Sequence, residues 1–159
     1  MNKQLVIEQL VAKLTEERDI LVRAARDSRT EATDESSKSE SKYDTRGLEA
    51  SYLAGGQSRL AEEAEQALKI VQRLGLIEFA PTDEITIGAL VEVKAKKRSQ
   101  YYFLSPRGGG LQVEVEGQAI VVLTPQSRLG QMLVDKVAGD HFTFEQTGAT
   151  LDYRIASVV

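Results

Sequence analysis

The segment ATDESSKSESKYD, residues 32–44, collects acidic side chains at one place in the sequence. Asp34, Glu35, Glu40 and Asp44 stand among serines, and no large aliphatic residue accompanies them. Two long stretches with helical periodicity flank the segment. It is therefore either a solvated connector or a group of carboxylates that the two helices hold at a defined position.

Other residues that could do chemistry are few. The chain has no cysteine, which excludes a disulfide framework and a thiolate metal site. His141 is the single histidine, so a histidine-based metal site or catalytic triad is not expected, and we predict a residue on a strand surface. Gly108-Gly109-Gly110 lacks the Lys-Ser/Thr that follows in a phosphate-binding loop, so we expect a turn.

Composition indicates a globular protein of one ordinary domain or two small ones. Of 159 residues, 42% are hydrophobic and 28% are charged, and the net charge is −4. This balance argues against direct contact with exposed nucleic acid but allows a partner that itself holds nucleic acid. Neither a signal peptide nor a run of 18 apolar residues is found, so we expect a cytoplasmic protein without membrane contact.

Two helices are predicted in the first half. Residues 3 to about 30 and 43 to 74 each carry an apolar stripe with spacings of three and four. The stripes consist of Ile7, Leu10, Leu14, Leu21 and Ala24, and of Ala50, Leu53, Leu60, Ala64, Ala67, Val71 and Leu74. Neither stripe can be buried by one helix alone, so we predict an antiparallel hairpin, a coiled coil about 40 Å long. Gly55-Gly56 predicts a bend or a close approach between helices.

After Pro81 the period changes to two. Strands are predicted at 85–96, 99–105, 111–117, 118–124, 141–145 and 150–158. A short helix is predicted over 125–134, with Thr124 as its N-cap. The fold class is therefore α+β with a mostly antiparallel sheet. We predict two domains, a helical hairpin over 1–78 with its tip near 31–43, and a sheet domain over 83–159.

The second half also carries a pattern that resembles the Gre family of bacterial transcript cleavage factors. Thr124-Pro125, Leu129-Gly130, Leu133, Lys136 and Val137-Ala138-Gly139-Asp140 match its C-terminal signature, and Tyr43, Leu48 and Glu49 match the start of its second helix. The resemblance covers essentially the whole chain.

The resemblance implies an FKBP-like sheet domain that docks at the secondary channel of bacterial RNA polymerase, while the hairpin enters the channel. Acidic residues at the tip then help to hold the second catalytic Mg²⁺, and the polymerase hydrolyses backtracked RNA. On this hypothesis the chain is an accessory factor, not an enzyme. It is a monomer without a cofactor of its own, and it meets RNA only through the polymerase.

The tip departs from the family pattern by one residue. The family's Asp and Glu stand seven and four residues before the tyrosine, which are Ser36 and Ser39 here. We therefore assign Asp34, Glu35 and Glu40 as candidate catalytic and Mg²⁺-binding residues by proximity alone.

Basic residues supply the candidates for contact with the partner. The one basic run is either a solvated strand end or a docking patch for an acidic surface. The candidates are Lys94, Lys96, Lys97 and Arg98 of this run, together with Arg128.

Two alternatives stay open. The chain could occupy the channel without stimulating cleavage, as a regulator or an inhibitor of transcription. It could also be an FKBP-like prolyl isomerase or chaperone, although the aromatic pocket of that family includes a tryptophan and this chain has none.

Overall fold

A computed structural model describes residues 1–33, 46–95, 98–146 and 149–159. The chain divides into two compact units, one formed by Met1–Val11 with Ile70–Val159 and the other by Ala12–Lys69. Two long helices are followed by a six-stranded mixed sheet and one short helix, which confirms the predicted α+β class. The predicted domain ranges, 1–78 and 83–159, stay a prediction.

The helices are α1, Lys3–Thr33, and α2, Arg46–Gln72. Arg18 of α1 contacts Glu65 of α2, 47 residues away, whereas Lys3 contacts the carbonyl of Ile77, 74 residues away. The sequence separation between contacting residues thus falls from 74 at Lys3 to 47 at Arg18. A separation that decreases along the first helix indicates that the second helix runs antiparallel to it. No helix in the described part of the chain is both long and apolar enough to cross a membrane.

The stripe predicted for α2 is partly wrong. Leu53 and Leu60 are 53% and 46% exposed, whereas Ala61 and Leu68 are buried. Apolar residues occupy more than one side of α2, and the predicted stripe included Leu53 and Leu60 but neither Ala61 nor Leu68. The buried side of α2 carries Ala61, Leu68 and Val71.

Gly55 and Gly56 do not interrupt α2, and neither lies against another residue that the structure describes. The helix is continuous through both positions, and a Cβ atom added at either would meet nothing within 4 Å. The predicted close approach is therefore not found among the described residues, and the predicted bend stays a prediction.

The sheet has the strand order β3-β4-β2-β1-β6-β5. Its strands are β1, Leu90–Ala95; β2, Arg98–Leu104; β3, Gln112–Val115; β4, Gln118–Leu123; β5, His141–Gln146; and β6, Ala149–Val158. All pairs are antiparallel except β2–β4. The expected mostly antiparallel sheet is thus confirmed, with one parallel pair.

Both faces of the sheet bury apolar side chains. The helix α3, Arg128–Leu133, contributes to a core on one face with Val91, Val93, Tyr153 and Ile155. Strand residues that alternate with these, Leu90 and Phe103, are also buried. They belong to the unit that contains the first residues of α1 and the last residues of α2.

Candidate functional site

The candidate metal ligands Asp34, Glu35 and Glu40 lie outside the described residues. They belong to the connection between Thr33, the last residue of α1, and Arg46, the first residue of α2. Within the described residues, no group of three or more His, Cys, Asp or Glu side chains could hold a metal ion. The Mg²⁺ role of the three carboxylates stays a prediction.

The C-terminal signature begins with the turn that starts α3. Ser127 is the N-cap, because its hydroxyl oxygen accepts a hydrogen bond from the Gly130 N–H at 3.0 Å. The same hydroxyl donates to the Thr124 carbonyl at 2.7 Å. The predicted N-cap, Thr124, is therefore wrong. Pro125 and Gln126 form a turn before the helix, which moves the capping position to the next hydroxyl.

The local structure explains why two positions of the signature are glycine. A Cβ atom at Gly130 would lie 2.0 Å from the Thr124 carbonyl oxygen, so only glycine fits there. Gly139 has a φ of 100°, a conformation that side chains rarely adopt, and the Asp140 carboxylate accepts a hydrogen bond from the Val137 N–H at 3.0 Å. The signature therefore builds a capped helix and the turn into β5, and none of its described contacts is catalytic.

Arg128 is an exposed residue at the start of α3. Its guanidinium carbon lies 5.2 Å from the centroid of the Phe144 ring, a cation–π contact. Phe144 belongs to β5, an edge strand of the sheet. The contact holds the Arg128 side chain against β5 while its charge remains at the surface, and its contact with a partner stays a prediction.

The described members of the basic run do not form one patch. Lys94 of β1 is the cross-strand partner of Ser99, and Arg98 of β2 is the partner of Ala95. Because successive residues of a strand point to opposite faces, Lys94 and Arg98 lie on opposite faces of the sheet. Lys96 and Lys97 lie outside the described residues.

Lys94 is held by an acid of its own strand. Its Nζ lies 3.2 Å from Glu92 Oε1, and the same carboxylate accepts a hydrogen bond from the Ser99 hydroxyl at 2.8 Å. The Ser99 hydrogen bond, and then Lys94, hold the pKa of Glu92 below its ordinary value. Glu92 is therefore ionised at neutral pH and offsets part of the charge of Lys94.

The sequence did not identify Arg154 as a candidate. It is exposed on β6 and is the cross-strand partner of both Lys94 and His141. The expectation that His141 is a strand surface residue is confirmed, and its Nδ1 lies 3.7 Å from Asp152 Oδ2. No local signal could have joined these residues, since only the strand order brings them together.

A cavity of about 660 Å³ lies between residues 106–110 and 122–127. Proline, glycine, aliphatic and polar side chains line it, and none of the lining residues is aromatic. The prolyl isomerase alternative requires a pocket lined by aromatic residues. This cavity is not such a pocket, and the prolyl isomerase stays an untested alternative.

Comparisons with known proteins give similarity at the level of solved structures alone. No protein-family model matches the sequence, and no curated protein is significantly similar to it. The crystal structure of GreA factor homolog 1 (Gfh1) of Thermus thermophilus is 20% identical over 96% of this chain and 94% of that chain, with a TM-score of 0.39. Gfh1 of Thermus aquaticus is 19% identical over 95% and 92%, with a TM-score of 0.40.

A prokaryotic transcription elongation factor GreA/GreB from Nitrosomonas europaea is also similar. It is 19% identical over 60% of this chain and 78% of that chain, with a TM-score of 0.39. With TM-scores near 0.4, these superpositions are too loose to transfer the role of any residue.

Proposed function

We propose that this chain is a bacterial RNA polymerase-binding factor that acts on transcription elongation through the secondary channel. The observation that carries the proposal is the acidic segment at residues 32–44, which connects two long helices of an antiparallel pair. The Gre-like signature supports it, since its residues form one coherent local structure, a capped α3 followed by the Gly139 turn.

The lengths of the helices suit this role. α1 has 31 residues and α2 has 27, which correspond to roughly 46 and 40 Å at the usual rise per residue. A pair of this length can carry a connecting segment deep into a channel of a larger protein. Leu14 of α1 and Ala61 and Leu68 of α2 are buried in the unit Ala12–Lys69, and Arg18 of α1 contacts Glu65 of α2.

In the proposed chemistry, this chain supplies carboxylates to the active site of the polymerase. Mg²⁺ prefers a few carboxylate oxygens together with water. In a two-metal site, the ions stabilise both the attacking and the leaving oxygen of an in-line displacement. Asp34, Glu35 and Glu40 would complete the shell of the second ion, and the polymerase would hydrolyse the backtracked RNA.

A cleavage assay on backtracked elongation complexes tests the proposal. Wild-type protein should accelerate RNA cleavage when Mg²⁺ is present, and it should not cleave RNA without polymerase. The double variant Glu35→Ala/Glu40→Ala should reduce the rate to that of polymerase alone while polymerase binding is unchanged. Asp44→Asn is the matched control, because it removes an acid of the same segment to which no metal role is assigned. Normal stimulation by the double variant would refute the metal role.

A second candidate function is a channel occupant that does not stimulate cleavage. Ser36 and Ser39 favour it, because they stand where the Gre pattern has its two acids. On this alternative, wild-type protein slows run-off transcription and leaves backtracked complexes uncleaved. The variant Ser36→Asp/Ser39→Glu should then gain cleavage stimulation, whereas a variant that stays inactive would show that more than two acids are missing.

A further inference from the structure

A row of three basic side chains crosses adjacent strands on one face of the sheet. Lys94 of β1 is the cross-strand partner of Arg154 of β6, and Arg154 is the partner of His141 of β5. All three are exposed, while their chain neighbours, among them Val93 and Ile155, are buried on the opposite face. We call Lys94, Arg154 and His141 the basic row.

The basic row is unfavourable for the isolated protein. Lys94 and Arg154 are directly opposed residues of antiparallel strands, whose Cβ atoms lie about 5 Å apart, and two like charges at that distance destabilise the sheet. Lys94 and His141 each lie near an acid, at 3.2 Å from Glu92 and 3.7 Å from Asp152. Arg154, between them, forms no ion pair within the described ranges. The row is also not a by-product of a basic composition, since the net charge is −4.

We propose that the basic row is a docking surface for an acidic segment of a protein partner, with Arg154 as its central contact. Neighbouring strands are roughly 5 Å apart, so three Cα positions span roughly 10 Å. Carboxylates three or four residues apart on a helix have a similar spacing, about 5–6 Å between Cβ atoms. A ridge of two or three Asp or Glu residues therefore fits along the row.

The acids beside the row favour a protein partner over a nucleic acid. Glu92 lies two residues before Lys94, and Asp152 lies two residues before Arg154. Because β1 and β6 are antiparallel, these acids stand on opposite sides of the row. Glu92 and Asp152 restrict favourable contact with an anion to the basic row itself, and they repel phosphates that lie on either side of it. A protein surface can place carboxylates on the line and other groups beside it.

The inference rests on the proposed function in naming polymerase as the partner, and binding to purified bacterial core RNA polymerase tests it. Arg154→Glu should weaken binding about ten-fold at low salt, and the loss should shrink as salt rises, as for a contact between exposed charges. Lys94→Glu should weaken it in the same direction. Arg107→Glu is the matched control, because it reverses an exposed charge just after β2, at the opposite end of that strand from Ser99, the partner of Lys94. It should change affinity by less than about two-fold.

Thermal stability separates docking from a structural role. Arg154→Glu places an acid between Lys94 and His141, so the melting temperature should stay equal or rise while binding falls. If the role of Arg154 is purely structural, Arg154→Glu should lower the melting temperature, and it should weaken the binding of every ligand by the same factor. Loss of affinity in proportion to loss of folded protein would therefore overturn the inference.

The remaining outcomes distinguish this inference from the proposed function. If polymerase binds wild-type protein and Arg154→Glu equally, the docking surface is refuted and the proposed function stands. If polymerase does not bind wild-type protein, the proposed function fails. Binding of a synthetic Glu-rich helical peptide then tests whether the basic row is a docking surface. If that peptide binds wild-type protein and Arg107→Glu but not Arg154→Glu, the docking surface is supported, and if it does not bind wild-type protein, the docking surface is refuted. If Arg154→Glu weakens binding of a single-stranded RNA oligonucleotide alone, the protein docking surface is also refuted, and RNA is the ligand of the basic row.

Discussion

Arg18 of α1 and Glu65 of α2 form an ion pair between the two helices, with 2.9 Å between Nη1 and Oε2. Glu65 also lies 3.2 Å from Lys69 one turn further along α2, and Arg18 Nε lies 2.8 Å from Asp19 Oδ1. Apolar stripes alone allow one helix to slide along another by a turn, whereas a specific charge pair favours one alignment. The pair therefore favours one alignment of α1 along α2.

Replacement of Glu65 by glutamine should lower stability in a pH-dependent way. The hydrogen bonds from Lys69 and Arg18 lower the pKa of Glu65 from its ordinary 4.5. A folded-state pKa below the unfolded value contributes stability above about pH 4.5, and the contribution is lost as the pH falls through the folded-state pKa. Glu65→Gln should therefore melt at a slightly lower temperature than wild type at about pH 7, and the difference should be smaller at an acidic pH below the folded-state pKa.

Far-UV circular dichroism during heating measures this difference. Glu63→Gln is the control, because Glu63 pairs with Arg59 within α2 and these two side chains are 58% and 81% exposed. Exposed pairs of this kind contribute little. An equal difference between wild type and Glu65→Gln at both pH values would show that the ion pair is not the cause.

Replacement of Gly55 or Gly56 by alanine should stabilise the protein. Glycine inside a helix costs roughly 0.5–1 kcal/mol relative to alanine. A Cβ atom at either position meets nothing within 4 Å. Each substitution should therefore raise the free energy of unfolding by about 0.5–1 kcal/mol in urea denaturation. Loss of polymerase binding by such a stabilised variant would show that the glycines serve a close approach by the partner.

Gly130→Ala provides the contrast, because its added Cβ would lie 2.0 Å from the Thr124 carbonyl oxygen and 2.8 Å from Ser127 Oγ. We expect it to lower the free energy of unfolding by about 1–3 kcal/mol, as overpacking does. The same change from glycine to alanine should thus have opposite signs in α2 and α3. A neutral Gly130→Ala would show that the turn before α3 can move away.

The order of the elements could be predicted from the sequence because local patterns determine it. The period changes from helical to alternating near Pro81, and turn residues such as those at 108–110 separate the strands. Where two hydroxyl residues compete for a cap, as Thr124 and Ser127 do, the local turn decides, and the pattern gave the wrong residue.

Which faces come together could not be predicted in the same way. The side of α2 that is buried depends on its fit to α1, so the exposure of Leu60 and the burial of Ala61 have no local cause. The basic row likewise needs β6 to lie between β1 and β5, and strands far apart in sequence do not signal that order. The proposed tip acids were assigned by proximity in sequence, and they lie outside the described residues.

Tyr102 should ionise at a higher pH than an exposed tyrosine. It is 9% exposed, its hydroxyl donates to Gln100 Oε1 at 2.7 Å, and burial raises its pKa from 10.0 to about 12. A folded-state pKa above the unfolded value means that stability is lost as the pH rises from about 10 to about 12. In an ultraviolet titration, Tyr102→Phe should remove the component near 12, and it should lower stability at neutral pH by about 1 kcal/mol through the lost hydrogen bond. Tyr52→Phe, at a site 74% exposed, should leave that component in place. If the component persists in Tyr102→Phe, another phenol is the buried one.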